Sequence, residues 1–333
     1  MDRKEDTFMS KQFWGIYASH IKQYITLKRG FGFKYKTEEV IYTIFDRFTI
    51  ERGETKVGIT KDLADEWNRR KPNESDSYRY HRAVCLNQLS SFICKTGIHS
   101  YIPQLPPCKS TFTPHIFSQN EISAIFKACD KLRAQKRVMN SIIIILPALF
   151  RLLYGTGLRI SEALSLRNKD VHLDENYLVV RDCKNGKEHM IPISDSLSDV
   201  CKEYLKNRDL LPFRLSENDY FFVSLDGKVC KRDTVYRWFQ KILLKANISR
   251  NVHGPRLHDL RHTFSVHSLA MMAESGIDLY CSLPILSSYL GHQSLESTNL
   301  YVRLTSEIYP ALLKDVDMIC LNVFPNIGTY EAN

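Results

Sequence analysis

Hydrophobic residues recur at helical spacing through the first hundred positions, so residues 10–100 are predicted to be entirely helical. One helix is predicted to take Thr37 as its N-cap and to end at Gly53. Its apolar positions at helical spacing are Val40, Ile41, Ile44, Phe45 and Phe48. Another helix is predicted from Ser77 to Lys95, ending at Gly97. The pattern therefore predicts a small helical domain.

The helical pattern stops over residues 101–117, which contain four prolines and few helix-forming residues. A capping-box sequence from Ser118 to Glu121 then opens the next helix. We therefore predict a helical domain over residues 1–105, a linker over 106–117 and a second domain over 118–333.

The second domain is predicted to be mostly helical with one small antiparallel hairpin. Its helical patterns cover residues 138–153, which we predict to be the buried central helix, and 196–207, 231–246, 256–273, 284–290 and 306–320. Residues 178–193 differ, because β-branched residues flank Asn185-Gly186, a strong hairpin signal. The predicted fold class is thus mainly α.

Composition and charge narrow the choice of function. The chain has 333 residues, of which 44% are hydrophobic, and a net charge of +9, so it is globular and basic. Residues 1–112 carry 19 basic and 13 acidic residues, which points to a polyanionic partner, most simply nucleic acid. Nine scattered cysteines without a C-x-x-C pair favour a reducing cytosol over a disulfide framework or a zinc ribbon. The longest apolar run, 142–150, is too short for a membrane span.

A basic segment rich in aromatic residues lies between the first two predicted helices, at residues 28–36. Its cations Lys28, Arg29, Lys34 and Lys36 are candidates for gripping phosphates. An ordinary solvated loop, with aromatic residues tucked under the first helix, explains the segment equally well.

Two short segments of the second domain place an arginine beside an ionisable partner. Arg159 and Glu162 follow a glycine-rich turn, where the arginine can point at a phosphate and the acid can steady it or cap the helix. His258 and Arg261 share one helix face and offer a proton-transfer group beside a phosphate clamp. The sequence His-Asp-Leu-Arg-His from 258 to 262 is not interpreted as a zinc site, because a cation lies inside it and no third ligand is evident.

The order of these segments resembles the catalytic boxes of the tyrosine recombinase, or phage integrase, family. The boxes are Gly-Leu-Arg159-x-x-Glu162, Lys184 in a hairpin, His258-x-x-Arg261, Leu-Gly-His292 and Tyr301. The resemblance covers residues 118–320 directly. The preceding helices resemble the family's helical core-binding (SAM-like) domain more loosely.

The resemblance implies a role for each of these residues. Tyr301 would be the nucleophile, and Arg159 and Arg261 would clamp the phosphate. Lys184 would be the general acid, with Lys187 as the alternative. His258 would assist proton transfer, His292 would hydrogen-bond the phosphate, and Glu162 would orient Arg159 or His258.

The family resemblance also implies the reaction and the partners. The expected activity is site-specific recombination of double-stranded DNA at paired sites, through a 3′-phosphotyrosyl intermediate and a Holliday junction, without metal or nucleotide cofactor. The expected assembly is a homotetramer on DNA that exchanges the 306–320 helix, although this helix suits packing on its own domain too. Accessory or sister recombinases are possible partners, and the expected location is the bacterial cytoplasm, on the nucleoid.

The segment from His267 to Leu290 is longer than in compact Xer-type members, which favours integration and excision of a mobile element over resolution of chromosome dimers. Two other functions remain to be separated from this one. A type IB topoisomerase uses similar residues to relax DNA, and an accessory DNA-binding protein could retain the fold without catalysis.

Overall fold

The computed structural model describes residues 12–107, 113–133, 141–181, 188–249, 254–291, 301, 303–305 and 308–309. The chain divides into two compact units, Met1–Phe112 and Thr113–Asn333. Across the described ranges, no helix is long and apolar enough to cross a membrane.

The described part of the first unit is built from helices. They are α1 (Ala18–Gly30), α2 (Lys36–Glu51), α3 (Lys61–Asn68) and α4 (Asp76–Lys95). The hydroxyls of Thr60 and Ser75 accept backbone N–H groups at the starts of α3 and α4, as N-caps do. The long helix α4 packs against the other three. The core of the first unit includes Tyr17, Ile21, Phe45, Trp67 and Leu89, which are fully buried.

Helix α2 departs from the sequence prediction at its start and on its apolar face. Its N-cap is Tyr35, in the left-handed conformation with φ +47°, so the prediction of Thr37 as N-cap is wrong. Val40 and Ile44 are exposed, whereas Ile41 and Phe45 are buried. The apolar stripe of the sequence is wider than the face that α1 and α4 cover. Helix α3 lies in the region predicted to be helical but was not predicted as a separate element, because it spans only eight residues.

The described part of the second unit contains seven α-helices and a small sheet. The helices are α5 (Gln119–Asp130), α6 (Leu146–Thr156), α7 (Ile160–Ser165), α8 (Asp195–Arg208), α9 (Arg232–Lys245), α10 (Asp259–Glu274) and α11 (Leu279–Leu290). The strands β1 (Val171–His172), β2 (Tyr177–Val180) and β3 (His189–Pro192) form an antiparallel sheet in that order. Leu178 lies opposite Ile191 and Val180 opposite His189, so the predicted hairpin strands do pair.

Helix α6 is central to this unit, since α5, α7, α8 and α10 all pack on it. It begins later than the predicted 138–153 helix, because Pro147 occupies its first turn and a short 3-10 turn, Ile143–Ile145, precedes it. Helix α11 begins five residues before the predicted start at 284, and Pro284 lies inside it. The capping box at Ser118 and Glu121 is present as predicted. The mainly α fold class is confirmed.

Candidate active site

Arg159 is held at the start of α7 by a buried carboxylate. Helix α6 ends at Gly157 in the left-handed conformation, and the chain turns so that Arg159 becomes the N-cap of α7. The Arg159 Nη1 atom donates to Glu162 Oε1 at 2.7 Å, and the Arg159 backbone N–H donates to Glu162 Oε2 at 2.8 Å. The Glu162 side chain is 3% exposed and that of Arg159 is 27% exposed. Glu162 thus caps the helix and orients a guanidinium that stays partly open to solvent.

Arg261 lies in the first turn of α10 and is only 4% exposed. Its Nη1 donates to the Gly157 carbonyl at 2.7 Å, and its Nη2 donates to the Leu290 carbonyl at 2.9 Å. Burial, and then the positive charge of Arg159, lower the pKa of Arg261 from its ordinary value. An arginine remains protonated under these conditions. The two positive charges repel each other, and a bound anion would relieve that repulsion.

Tyr301 is buried beside this arginine pair, with 3% of its surface exposed. Its Oη lies 3.1 Å from Nδ1 of His262, and the two ring centroids are 5.6 Å apart. Burial raises the pKa of Tyr301, whereas the charge of Arg261, hydrogen bonds from Ser265 and Arg261, and the charge of Arg159 act to lower it. The phenol is therefore within reach of the electrostatic field of both arginines.

His258 is the N-cap residue of α10, at the exposed edge of the cluster. Its ring meets the His262 ring edge to face, with centroids 4.8 Å apart. Loss of hydration, and then the charges of Arg261 and Arg159, lower the pKa of His258. The imidazole is therefore neutral at pH 7 before any anion binds.

The structure brings together five of the residues singled out in the sequence. Arg159, Glu162, His258, Arg261 and Tyr301 form one cluster in the second unit. Lys184, Lys187 and His292 lie outside the described residues, as does most of the predicted 306–320 helix.

Two histidines of this cluster were missed by the site prediction. His262 was considered only as part of a zinc-like motif, although its position four residues after His258 places both on one helix face. His189 opens β3 and feels the charges of Glu162, Arg261 and Arg159, although burial is the largest influence lowering its pKa. Strand alternation could have indicated His189, because it points to the same side as the buried Ile191.

The basic segment of the first unit, residues 28–36, runs from the end of α1 to the start of α2 and is partly exposed. The Lys28 Nζ lies 5.4 Å from the ring centre of Tyr24 and 5.7 Å from that of Phe33. Arg29 pairs with Glu39 at 2.9 Å, which offsets part of its charge. Lys34 and Lys36 are exposed. Phe33 itself is 58% exposed, so the aromatic residues are not all tucked under α1.

Within the described ranges, no group of three or more His, Cys, Asp and Glu side chains is arranged to hold a metal ion.

Comparison with known sequences identifies the class of protein. The sequence model of the Phage integrase family matches residues 115–307. A protein named as an integrase/recombinase, y4rB of Sinorhizobium fredii, is 28% identical over 307 residues, covering 89% of this chain and 96% of that protein. The tyrosine recombinase XerD of Oceanobacillus iheyensis is 29% identical over 237 residues, covering 69% of this chain and 71% of XerD.

Solved structures share the fold. The Tn1549 transposon integrase in complex with circular intermediate DNA superposes with a TM-score of 0.64 at 18% identity, covering 85% of this chain and 94% of that one. The XerH recombinase bound to palindromic difH substrate gives 0.61 at 20% identity, covering 80% and 74%. The fold and the sequence relatives define a tyrosine-type site-specific DNA recombinase. Within that class, the chain belongs to the phage integrase family.

Proposed function

We propose that this recombinase integrates and excises a mobile element by cutting and rejoining DNA at paired sites. The observation that carries the proposal is the buried Tyr301 beside the Arg159 and Arg261 pair. A nucleophile next to two fixed cations suits attack on a phosphodiester, because negative charge grows on the non-bridging oxygens in the transition state.

The proposed reaction assigns the chemistry to side chains. Tyr301 attacks the phosphorus and forms a 3′-phosphotyrosyl link, while Arg159 and Arg261 stabilise the oxygens that become more negative. Lys184, or Lys187 in its place, protonates the leaving 5′-oxygen, and His292 hydrogen-bonds the phosphate. A second 5′-hydroxyl then attacks the link and returns the tyrosine, so strands are exchanged through a Holliday junction. The chemistry conserves the phosphodiester energy and calls for no nucleotide.

The buried carboxylate has a supporting role in this scheme. One carboxylate oxygen of Glu162 accepts a hydrogen bond from the Arg159 guanidinium, and the other accepts one from the Arg159 backbone N–H. This arrangement fixes the direction of the clamp before DNA binds, which reduces the reorganisation required in the transition state. His258, at the exposed edge, assists proton transfer.

Recombination of two duplexes cuts four strands, so we propose a homotetramer on DNA. Exchange of the 306–320 helix between protomers would link the copies, and accessory or sister recombinases could replace some of them. The lambda integrase structure contains a dimer bound to a core site, and the Tn1549 integrase structure holds circular intermediate DNA. By analogy the substrate here is double-stranded DNA, on the nucleoid in the bacterial cytoplasm.

The predicted first domain, residues 1–105, is proposed to act as the core-binding domain, joined by the linker 106–117 to the catalytic domain 118–333. Lys28, Arg29, Lys34 and Lys36 would contact phosphates. Such contacts contribute affinity and salt dependence rather than sequence choice.

The proposed function is tested by identifying the DNA site that the protein binds and by measuring recombination between two copies of that site. DNA bound by the protein in cells is captured and sequenced, and two copies of the recovered site are placed on one plasmid. We expect a deletion circle that requires both sites. Relaxation of a plasmid without the site would instead support a topoisomerase, and recovery of sites only at a chromosome terminus would support dimer resolution.

A further inference from the structure

The contact between His262 and Tyr301 lies outside the roles assigned so far. His262 is on α10, one turn after His258, and is 9% exposed. Its Nδ1 is 3.1 Å from the Tyr301 Oη, and Tyr301 is itself buried. Both groups are thus desolvated and within hydrogen-bonding distance.

Tyr301 needs a proton acceptor to act as a nucleophile. A phenol has an ordinary pKa near 10, so almost none is ionised at neutral pH. Burial raises the pKa of Tyr301 further, against the lowering effect of Arg261. A base at hydrogen-bonding distance from the hydroxyl removes this obstacle, because it takes the proton as the oxygen attacks.

We propose that His262, and not His258, is the base that receives the proton of Tyr301 during DNA cleavage, whereas His258 assists through its contact with the His262 ring; this rests on the proposed function. In the step, the Tyr301 O–H bond breaks and an Nδ1–H bond forms on His262. The Oη–phosphorus bond forms, and the bond from phosphorus to the 5′-oxygen breaks. The leaving oxygen takes a proton from the general acid. On rejoining, the imidazolium returns its proton to Tyr301 as that oxygen leaves phosphorus.

The neighbours of His262 suit this role. Accepting at Nδ1 requires the proton of the neutral ring to lie on Nε2. The His258 ring packs against the His262 ring at an interplanar angle of 86° and restrains its orientation. His258 is neutral at pH 7, so it does not oppose the charge that His262 gains. Arg261 does oppose that charge, which favours return of the proton during rejoining.

Two substitutions separate proton transfer from mere positioning. In His262→Asn, the amide oxygen replaces Nδ1 as a hydrogen-bond acceptor but cannot take the proton. His262→Ala removes both properties. His267→Asn is the matched control, because His267 lies on the same helix and its Nδ1 is 2.9 Å from another tyrosine hydroxyl, that of Tyr154.

The measurement is single-turnover cleavage of a nicked suicide substrate carrying the recovered site. At pH 7 we expect both His262 variants to cleave about 10²- to 10⁴-fold more slowly than wild type, the usual range for a lost general base. The rate of His262→Asn should rise steeply from pH 7 to pH 9, as hydroxide replaces the base. His267→Asn should cleave like wild type.

A second substrate shows whether a variant has lost the general acid or the general base. A sulfur atom in place of the bridging 5′-oxygen leaves without needing a proton, so it rescues a lost general acid but not a lost base. We expect no rescue of His262→Asn. Rescue, or a His262→Asn rate within about threefold of wild type, would overturn the proposal.

Folding is checked by DNA binding and thermal unfolding. If His262→Asn does not bind DNA, His262→Gln carries the same comparison, with the same two overturning results. The outcomes also separate this proposal from the function on which it rests. Wild type without any covalent adduct contradicts the recombinase chemistry, whereas a wild-type adduct with a fully active His262→Asn contradicts only the role of His262.

Discussion

At the scale of single residues, the catalytic capacity of the site depends on how firmly its cations are held before DNA arrives. Arg261 is fixed by two main-chain carbonyls, and Arg159 by the buried carboxylate of Glu162. The hydrogen bonds of Arg261 are structural as well as catalytic, since they tie α10 to the ends of α6 and α11. Arg159 is more exposed, so its substitution isolates the electrostatic effect better.

The Arg159→Lys variant should retain its stability and lose much of its activity. Lysine keeps the charge but lacks the planar fork that contacts two oxygens. We expect cleavage to slow about 10²- to 10³-fold, as on losing a transition-state hydrogen-bond donor. Single-turnover cleavage and thermal unfolding measure the two quantities.

Arg151→Lys provides the comparison, because Arg151 also pairs with a carboxylate in this unit, that of Asp130, at 2.8 and 2.6 Å. It has no role in the proposed site, so its rate should match that of wild type. Equal losses in the two variants would show that the effect is not specific to Arg159.

The sequence predicted the residue types of the site better than their contacts. Arg159, Arg261 and Tyr301 were found because the order of their motifs along the chain resembles the catalytic boxes of the tyrosine recombinase family. The hydrogen-bond partner of Tyr301 was not predicted, because the sequence alone does not show which of the two imidazoles, His258 or His262, lies next to it. Only the packing of Tyr301 against α10 determines that His262 is the one within 3.1 Å.

At the scale of elements, the turn between α6 and α7 positions both arginines. Gly157 ends α6 with φ +62°, offers its carbonyl to Arg261 and precedes Arg159 by two residues. A Cβ at Gly157 would overlap the ring of Phe264 and would lie 3.1 Å from Cδ2 of Leu290. The site therefore requires glycine for both its conformation and its lack of a side chain.

The Gly157→Ala variant should be destabilised and should cleave DNA more slowly. Left-handed backbone alone costs about 1–2 kcal/mol for a residue with a Cβ. The overlap with Phe264 adds an overpacking cost of about 1–3 kcal/mol. Denaturant unfolding measures the sum.

Gly276→Ala is the control for this variant, since Gly276 has φ +80° but open space around the added Cβ. It carries the backbone cost without the overlap and lies outside the proposed site. If the two variants lost equal stability, the close approach of Phe264 would not matter.

Element boundaries were predictable where a side chain caps the helix and less so elsewhere. Ser118 and Glu121 marked the start of α5 correctly, because their hydrogen bonds are local. Thr37 failed as the cap of α2, because a left-handed Tyr35 starts the helix, and this tyrosine is held by tertiary packing and by a hydrogen bond to Gln88.

At the scale of the whole molecule, the net charge of +9 is spread unevenly, and the two kinds of cation have different tasks. The active-site cations of the second unit are only two arginines, Arg159 and Arg261, and each is held by specific partners. The candidate phosphate-binding cations of the first unit lie at the end of α1, in the connection after it and at the start of α2, where their number matters more than their geometry.

Replacing Lys28 and Lys34 together by alanine should weaken DNA binding and lower its salt dependence. Each phosphate contact contributes about 0.9 to the slope of log affinity against log salt, so the slope should fall by about 2. Arg29 is left in place, because its pair with Glu39 reduces its contribution. Fluorescence anisotropy over a range of salt concentrations measures the slope.

The double replacement of Lys56 and Lys61 is the control, since both are exposed lysines of the same unit outside the basic segment. The control removes the same charge. An equal drop in the salt slope of DNA binding would therefore mean that the basic segment has no special position on DNA.

The central claim is that Tyr301 becomes covalently joined to DNA, and one measurement tests it most directly. Wild type, Tyr301→Phe and Tyr309→Phe are incubated with the nicked suicide substrate, denatured, and analysed for a protein–DNA adduct by mass spectrometry of the nucleotide-bearing peptide. We predict an adduct on Tyr301 in wild type and in Tyr309→Phe, and none in Tyr301→Phe despite unchanged DNA binding. An undiminished adduct in Tyr301→Phe, or a nucleotide mapped to another residue, would contradict the account.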